Sequence, residues 1–191
     1  NINRLPLENK YMHQDVELTD GFVLLRPYRA EDLHDLHLAV MESLPQLKPW
    51  LDFATDDYSL EDSKRWISEC PQTWETGTAY NFVITDAVTG QYLGGCGLND
   101  FNTQRTIANL GYWVRTGCTR RGVATASTCL LARWGIVELK LQRITIQIAR
   151  TNRPSQRVAE KSGAVLEGNL RNGMMVRDLM YDKVVYSFIP D

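Results

Sequence analysis

Apolar and polar positions along this 191-residue chain follow two periods, and the switches between them mark its elements. Leu110, Tyr112 and Val114 alternate with Gly111, Trp113 and Arg115, the pattern of a pleated strand. From Val123 the period becomes helical, and Val123, Ala126, Leu130, Leu131, Trp134 and Val137 share one face of a long amphipathic helix. Gly117, Arg120, Arg121 and Gly122 fall between the two as a tight basic turn. Arg143-Ile-Thr-Ile-Gln-Ile148 is the cleanest period-two strand in the chain.

The remaining segments read in the same way. Phe22–Leu25 is a first strand. Ala30-Glu-Asp32 opens a helix with acids in its first turn, Leu33, Leu36 and Val40 give it an apolar face, and Pro45 ends it. Ser59 with Asp62 starts a second helix whose inward face is Trp66, Ile67 and Cys70, and Pro71 stops or kinks it. Phe82 and Ile84 lie in a strand, Thr89-Gly90 in a turn, and Tyr92–Leu98 in a strand whose three glycines allow close packing or a bulge. Asn99–Thr106 is the polar turn of a hairpin. Asn152-Arg-Pro-Ser155 begins a short helix with Gly163 just beyond its end. Val165–Leu170 is a strand, Asn172-Gly173 a hairpin turn, and Val176–Phe188 a last strand or broken pair of strands. The order β-α-α-β-β-β-α-β-α-β-β predicts an α/β protein with one mixed sheet flanked by helices. Residues 1–20 read as an irregular lead-in, and 21–191 as a single domain.

Composition narrows the partners. A net charge of −2 gives no basic field for nucleic acid or an anionic membrane, and no apolar run approaches a membrane span. Cys70, Cys96, Cys118 and Cys129 are too scattered for a paired ligand motif, which predicts free thiols in a reducing cytoplasm and no metal. His34 and His37 share a helix but lack a third ligand. The basic turn changes the picture most. A loop that opens a helix leaves backbone N–H groups unpaired at the positive end of the helix dipole, so residues 119–125 are expected to hold a phosphorylated cofactor, although taken alone they suit an ordinary strand-turn-helix with a solvated basic tip equally well.

Three motifs in this order resemble the GNAT superfamily of acetyl-CoA-dependent N-acetyltransferases, and within it the RimJ/RimL branch, named for enzymes that acetylate ribosomal-protein N-termini. They are Gly111-Tyr-Trp-Val leading to Arg121-Gly-Val-Ala-Thr125, Asn152-x-x-Ser155 running to Glu160-Lys-Ser-Gly163, and Glu167-Gly168 with Asp182-x-x-x-Tyr186. Glu42-Ser-x-x-x-Leu47-x-x-Trp50-Leu51 resembles that branch's early helix and substrate loop. The likeness covers roughly Phe22 to Phe188.

The resemblance implies a GNAT-like fold with the fourth and fifth strands splayed, ending near Val114 and beginning near Arg143. Acetyl-CoA is the implied cosubstrate. Its pyrophosphate belongs on Thr119, Arg120, Arg121, Gly122, Val123, Ala124 and Thr125, and its pantetheine along Trp113, Val114 and Arg115. Thr119 stands where the family has Gln or Arg, and Arg120 where this branch commonly has glycine. Because such loops bind mainly through backbone N–H groups, neither change need abolish binding. Backbone N–H near Val114 is the implied donor to the thioester carbonyl. Tyr112 and Trp113 read first as packing and second as lining of that channel.

For chemistry, many relatives use a tyrosine on the helix after the fifth strand as general acid. This chain has Ala159 at the matching place. The branch instead carries Asn-x-x-Ser, so Asn152 is expected to hold cofactor or water and Ser155 to donate to the departing sulfur. Both residue types also suit a plain helix cap, and the two roles are compatible. Glu42, Asp100 and Glu167 are candidate bases, Glu42 lying beside the acceptor loop. Arg157, with Arg153 and Lys161, could meet the 3′-phosphate, although charges on a solvated helix face are the commoner reading of such residues. The implied activity is direct attack of a primary amine on acetyl-CoA in a ternary complex, working as monomer or homodimer. The acceptor is a protein N-terminal α-amine or, as an alternative, a small amine such as a polyamine, amino acid or antibiotic. A non-catalytic acyl-CoA-binding module is the further alternative, and the missing tyrosine and Thr119 keep it open.

Overall fold

A computed structural model describes residues 16–190 except 103 and 105. Most of the expected lead-in, residues 1–15, lies outside the described residues. The chain forms β1 (Leu18–Thr19), β2 (Val23–Pro27), α1 (Leu33–Leu47), α2 (Leu60–Thr76), β3 (Tyr80–Asp86), β4 (Tyr92–Asn99), β5 (Ile107–Val114), α3 (Val123–Val137), β6 (Arg143–Ala149), α4 (Arg153–Lys161), β7 (Val165–Val176) and β8 (Leu179–Phe188). This is the expected order with one short strand, β1, added where an irregular segment was read. All the strands join one mixed sheet in the order β1-β2-β3-β4-β5-β6-β8-β7.

The sheet is held from both faces. On one, Trp74, Phe82, Leu98, Leu110, Leu131 and Ile144 belong to the larger core, where α3 and α4 pack. There Trp134 sits edge-on to Tyr80 and Phe82, with ring centroids 5.3 and 5.4 Å away. On the other, Leu36, Ala39 and Val40 of α1 and Ile67 and Cys70 of α2 pack on Tyr28, Val83 and Tyr92.

Several local expectations change. Both helices run through their prolines, α1 past Pro45 to Leu47 and α2 past Pro71 to Thr76. A helix-interior proline costs roughly 3 kcal/mol. The buried stripe continues past each one, to Leu47 in α1 and to Trp74 in α2, and that burial offsets the cost. Ser59 and Asp62 do form a reciprocal capping box, and left-handed Gly77 ends α2. Trp66, expected inward, is 42% exposed, and Trp74 takes its place in the core. Asn172-Gly173 is not the hairpin turn. Asn172 has φ +47° inside β7, where the pairing with β8 shifts between Leu170 and Met174, and the chain reverses at Arg177, with φ +51°. An Asn-Gly pair supplies positive φ for a bulge as readily as for a turn.

The sheet parts in its middle. β4 and β5 stay paired up to Gly94 and Val114. β5 and β6, running parallel, pair only at Ile107 with Arg143, Ala108 with Ile144 and Asn109 with Thr145. From Leu110 onward the two strands separate, as the resemblance implied.

Candidate active site

The edge of β5 at the gap is set by alternation. Arg115 N–H donates to Leu93 O at 2.8 Å on β4. In an antiparallel strand consecutive residues point their hydrogen-bonding groups to opposite sides. The N–H and C=O of Tyr112 and Val114 therefore face away from β4, toward the gap. Glycine makes this register possible. A Cβ at Gly94 would overlap the Trp113 carbonyl oxygen and lie 2.9 Å from Val114 Cα. The register shift between Ile84 and Thr85 opposite it also bears out the expected bulge.

Beyond β5 a short 3-10 turn, Thr116–Cys118, leads to the basic turn. Arg120 and Gly122 both have positive φ, +62° and +88°, and Gly122 caps α3. Successive N–H groups bracketing such residues form an anion-binding nest. The backbone N–H groups of Arg120 to Thr125 have no acceptor among the described residues. The Thr119, Arg120 and Arg121 side chains are exposed, whereas Val123 is buried beneath the loop and Ala124 and Thr125 are half-buried. Thr119 Oγ1 donates back to Thr116 O at 2.9 Å. This part of the chain fits a diphosphate through its backbone.

Glu42 secures the loop from α1. Its Oε2 accepts Arg115 Nε at 2.5 Å and its Oε1 accepts Gly117 N–H at 2.9 Å. Ser43 Oγ accepts Thr116 N–H at 3.0 Å beside it. The Arg115 guanidinium, and then the Gly117 N–H, hold the Glu42 carboxyl below its ordinary range. With both oxygens engaged and its proton affinity lowered, Glu42 is not arranged as the base the sequence reading offered. Glu167 is engaged too, by Ser187 Oγ and by Arg143 at 2.5 Å, and these bonds lower its pKa.

Across the gap, Asn152 caps α4, its Oδ1 accepting Ser155 N–H at 3.2 Å. The cap is therefore Asn152 and not Ser155. The Ser155 hydroxyl instead lies 3.0 Å from the Tyr112 hydroxyl, which also donates to Ser155 O at 3.0 Å. Burial pushes the Tyr112 phenol up to about 12, and the Ser155 contact partly offsets it. In the sequence Tyr112 reads first as packing and second as channel lining, not as a partner of Ser155. The two residues are 43 positions apart, and only the alternation that points Tyr112 opposite to Trp113 hinted at this. Arg157 is exposed and pairs with Glu160 at 2.8 Å, while Arg153 donates to Gln156 at 3.1 Å.

A cavity of about 540 Å³ opens on the α1–α2 side and reaches Gly111, Tyr112 and Trp113. Its apolar walls include Tyr28, Phe53, Tyr58, Trp66 and Trp113. Phe53 and Trp113 meet edge-on at 6.3 Å. Asp52, Asp57, Asp62 and Glu69 line it against one cation, Arg65, which pairs with Asp62 at 2.5 Å. Among the described residues no cluster of His, Cys, Asp and Glu is arranged to hold a metal, and no helix is long and apolar enough to cross a membrane.

A separated strand pair, a nest at a helix start and a cavity that shares β5 with the gap are the parts of an acyl-transferring fold. Residues 23–165 match the acetyltransferase (GNAT) domain, and the chain belongs to that family of N-acetyltransferases. The chain is 28% identical over 167 residues to YdaF of Bacillus subtilis (strain 168), provisionally named a ribosomal N-acetyltransferase; the match covers 87% of this chain and 88% of YdaF. Solved structures share the fold, among them two with bound ligands. The microcin C7 self-immunity acetyltransferase MccE, in complex with acetyl-CoA and AMP, aligns with a TM-score of 0.82 at 19% identity over 90% of this chain and 94% of its own. RimL, a ribosomal L7/L12 α-N-protein acetyltransferase in complex with coenzyme A, aligns with a TM-score of 0.80 at 20% identity over 88% and 94%.

Proposed function

We propose that this chain uses acetyl-CoA to acetylate a primary amine, most simply a protein N-terminal α-amine. The observation that carries the reading is that β5 borders the gap with β6, leads through a short turn into the nest at residues 119–125, and lines the cavity with Gly111, Tyr112 and Trp113. The names of the relatives support the acceptor. When bound, acetyl-CoA supplies an acetyl group activated as a thioester.

The residues of this chain divide the remaining work. The N–H groups of Arg120–Thr125 hold the pyrophosphate, and the Arg120 and Arg121 guanidiniums add charge. The backbone groups of Tyr112 and Val114, which face the gap, receive the pantetheine, while those of Trp113 and Arg115 point to β4; the Val114 N–H polarises the acetyl carbonyl. Asn152 fixes the α4 start so that Ser155 stands at the gap, and Arg157 meets the 3′-phosphate once free of Glu160. Glu42 acts by holding Arg115 and Gly117 in place. No side chain is assigned as base, and water lining the acidic cavity takes the amine proton.

A second acceptor reading follows from the cavity. Aromatic walls with carboxylates over a volume of about 540 Å³ suit a small cationic amine held whole. One experiment separates the readings: free-thiol release from acetyl-CoA with peptide N-termini assayed beside diamines and aromatic amines. Turnover of peptides supports the first reading and turnover of small amines alone the second. Acetyl-CoA binding without turnover of either would leave only an acyl-CoA-binding module.

A further inference from the structure

The family's usual tyrosine position on α4 is Ala159, fully buried, yet a phenol does reach the start of α4, from the opposite side of the gap. Tyr112 is carried by β5 and its hydroxyl sits equally close, 3.0 Å, to both oxygens of Ser155. It has one proton for two acceptors. If that proton goes to the Ser155 carbonyl, the Ser155 hydroxyl must donate back to Tyr112. If it goes to Ser155 Oγ, the serine proton is released to point elsewhere. The carbonyl of a residue in the first turn of a helix has a partner four residues on in either case. The second arrangement therefore leaves no acceptor unpaired.

Resting on the acetyl-transfer reading, we propose that Tyr112 is a positioning residue that orients the Ser155 hydroxyl as a donor into the gap and resupplies its proton. The proton count closes. As the amine nitrogen bonds to the acetyl carbon, the C–S electron pair leaves on sulfur. Sulfur takes the Ser155 proton, and the serine oxygen takes the Tyr112 proton. The phenolate is reprotonated through solvent by the proton that the product nitrogen sheds. Burial of the phenol keeps its proton in place at neutral pH until a stronger base, the serine oxygen, forms beside it. Two hydroxyls from different elements thus cover the role of the one that α4 lacks.

Tyr112→Phe keeps the ring and removes one oxygen. The expected result is a ten- to hundredfold fall in kcat with the KM for acetyl-CoA changed less than threefold, and no further fall when Ser155→Ala is added. Binding gives a readout independent of turnover. Calorimetry with CoA from pH 7 to 10 should show severalfold tightening as its thiol ionises, and Tyr112→Phe and Ser155→Ala should each abolish it. A Tyr112→Phe protein within twofold of wild type in kcat, or one that keeps the tightening, overturns the proposal. Should Tyr112→Phe fail to fold, tightening retained in Ser155→Ala overturns it equally. Wild-type protein that binds no CoA would overturn the acetyl-transfer reading itself; binding and turnover indifferent to Tyr112→Phe would overturn this proposal alone.

Discussion

Glu42 and Arg115 meet at 2.5 Å, and through that contact helix α1 sets the course of the chain as it leaves β5 for the phosphate nest. The second oxygen of Glu42 holds Gly117, so one carboxylate fixes the residue before the turn and the middle of the turn itself. Glu42→Gln should keep one bond and lose the charge, loosening the loop without removing any group that faces substrate. Acetyl-CoA affinity is expected to fall three- to tenfold in calorimetry, with kcat at saturation little changed.

The same contact has a pH signature. The folded pKa of Glu42 is depressed, so its stabilisation is present above the unfolded carboxyl pKa, about 4.3, and is lost as pH falls through the lower folded value. The difference in melting temperature between wild type and Glu42→Gln should be full at pH 7 and vanish once the pH has fallen through the lowered folded pKa of Glu42. A difference that persists at low pH would show that the carboxylate charge is not its source. Half-exposed on both sides, the pair contributes about 1 kcal/mol at most.

Arg120 holds φ +62°, where a side chain is strained by about 1 kcal/mol and glycine is not. That is the physical content of its departure from the family pattern. Arg120→Gly should raise unfolding free energy in urea by about 0.5–1 kcal/mol. Acetyl-CoA binding should weaken modestly at low salt and converge on wild type at high salt, because only a screened charge has been removed. A loss of stability would contradict the strain.

Gly94→Ala is expected to act on both fold and site. Its new Cβ would collide with backbone, which cannot rotate aside as a side chain can. A cost of about 1–3 kcal/mol is expected. Moving β4 from β5 also displaces Val114, so acetyl-CoA affinity should drop alongside stability. Urea denaturation and calorimetry on the same preparation check the two together.

Asn152 and Ser155 separate cleanly by substitution. Asn152→Ala removes the cap of α4 and should cost about 1 kcal/mol, with Asn152→Asp close to neutral. Ser155→Ala should leave the melting temperature nearly unmoved, since its N–H and not its hydroxyl serves the cap.

What the chain spelled out and what it hid follow a physical line. Periodicity placed the strand-loop-helix from Leu110 to Val137 and the cap at Asn152, because alternation, helical stripes and caps are properties of a few adjacent residues. Pro45, Pro71 and Asn172-Gly173 misled for the same reason. Each carries a strong local signal, and each was overruled by contacts outside the motif itself: the cores under Leu47 and Trp74, and the β8 strand that pairs with β7 on both sides of Asn172. The Tyr112–Ser155 contact and the dual grip of Glu42 span 43 and 73 to 75 positions. No local pattern encodes such pairs. Thr119 and Arg120 read as defects in a motif, yet the loop presents its N–H groups regardless of their side chains.

Arg177, at the reversal between β7 and β8, reaches the far wall of the cavity. Its N–H donates to Asp52 Oδ1 at 2.7 Å, its guanidinium bonds Lys48 O, and the Trp50 and Tyr181 rings lie 6.2 Å apart nearby. The two halves of the sheet that part after Asn109 and Thr145 are thus fastened again at the opposite end. A wedge pinned only at its apex could gape or shut with any strain on either half. One tied at apex and mouth has a fixed width, so the span between the donors on β5 and the hydroxyl on α4 is a dimension of the protein itself.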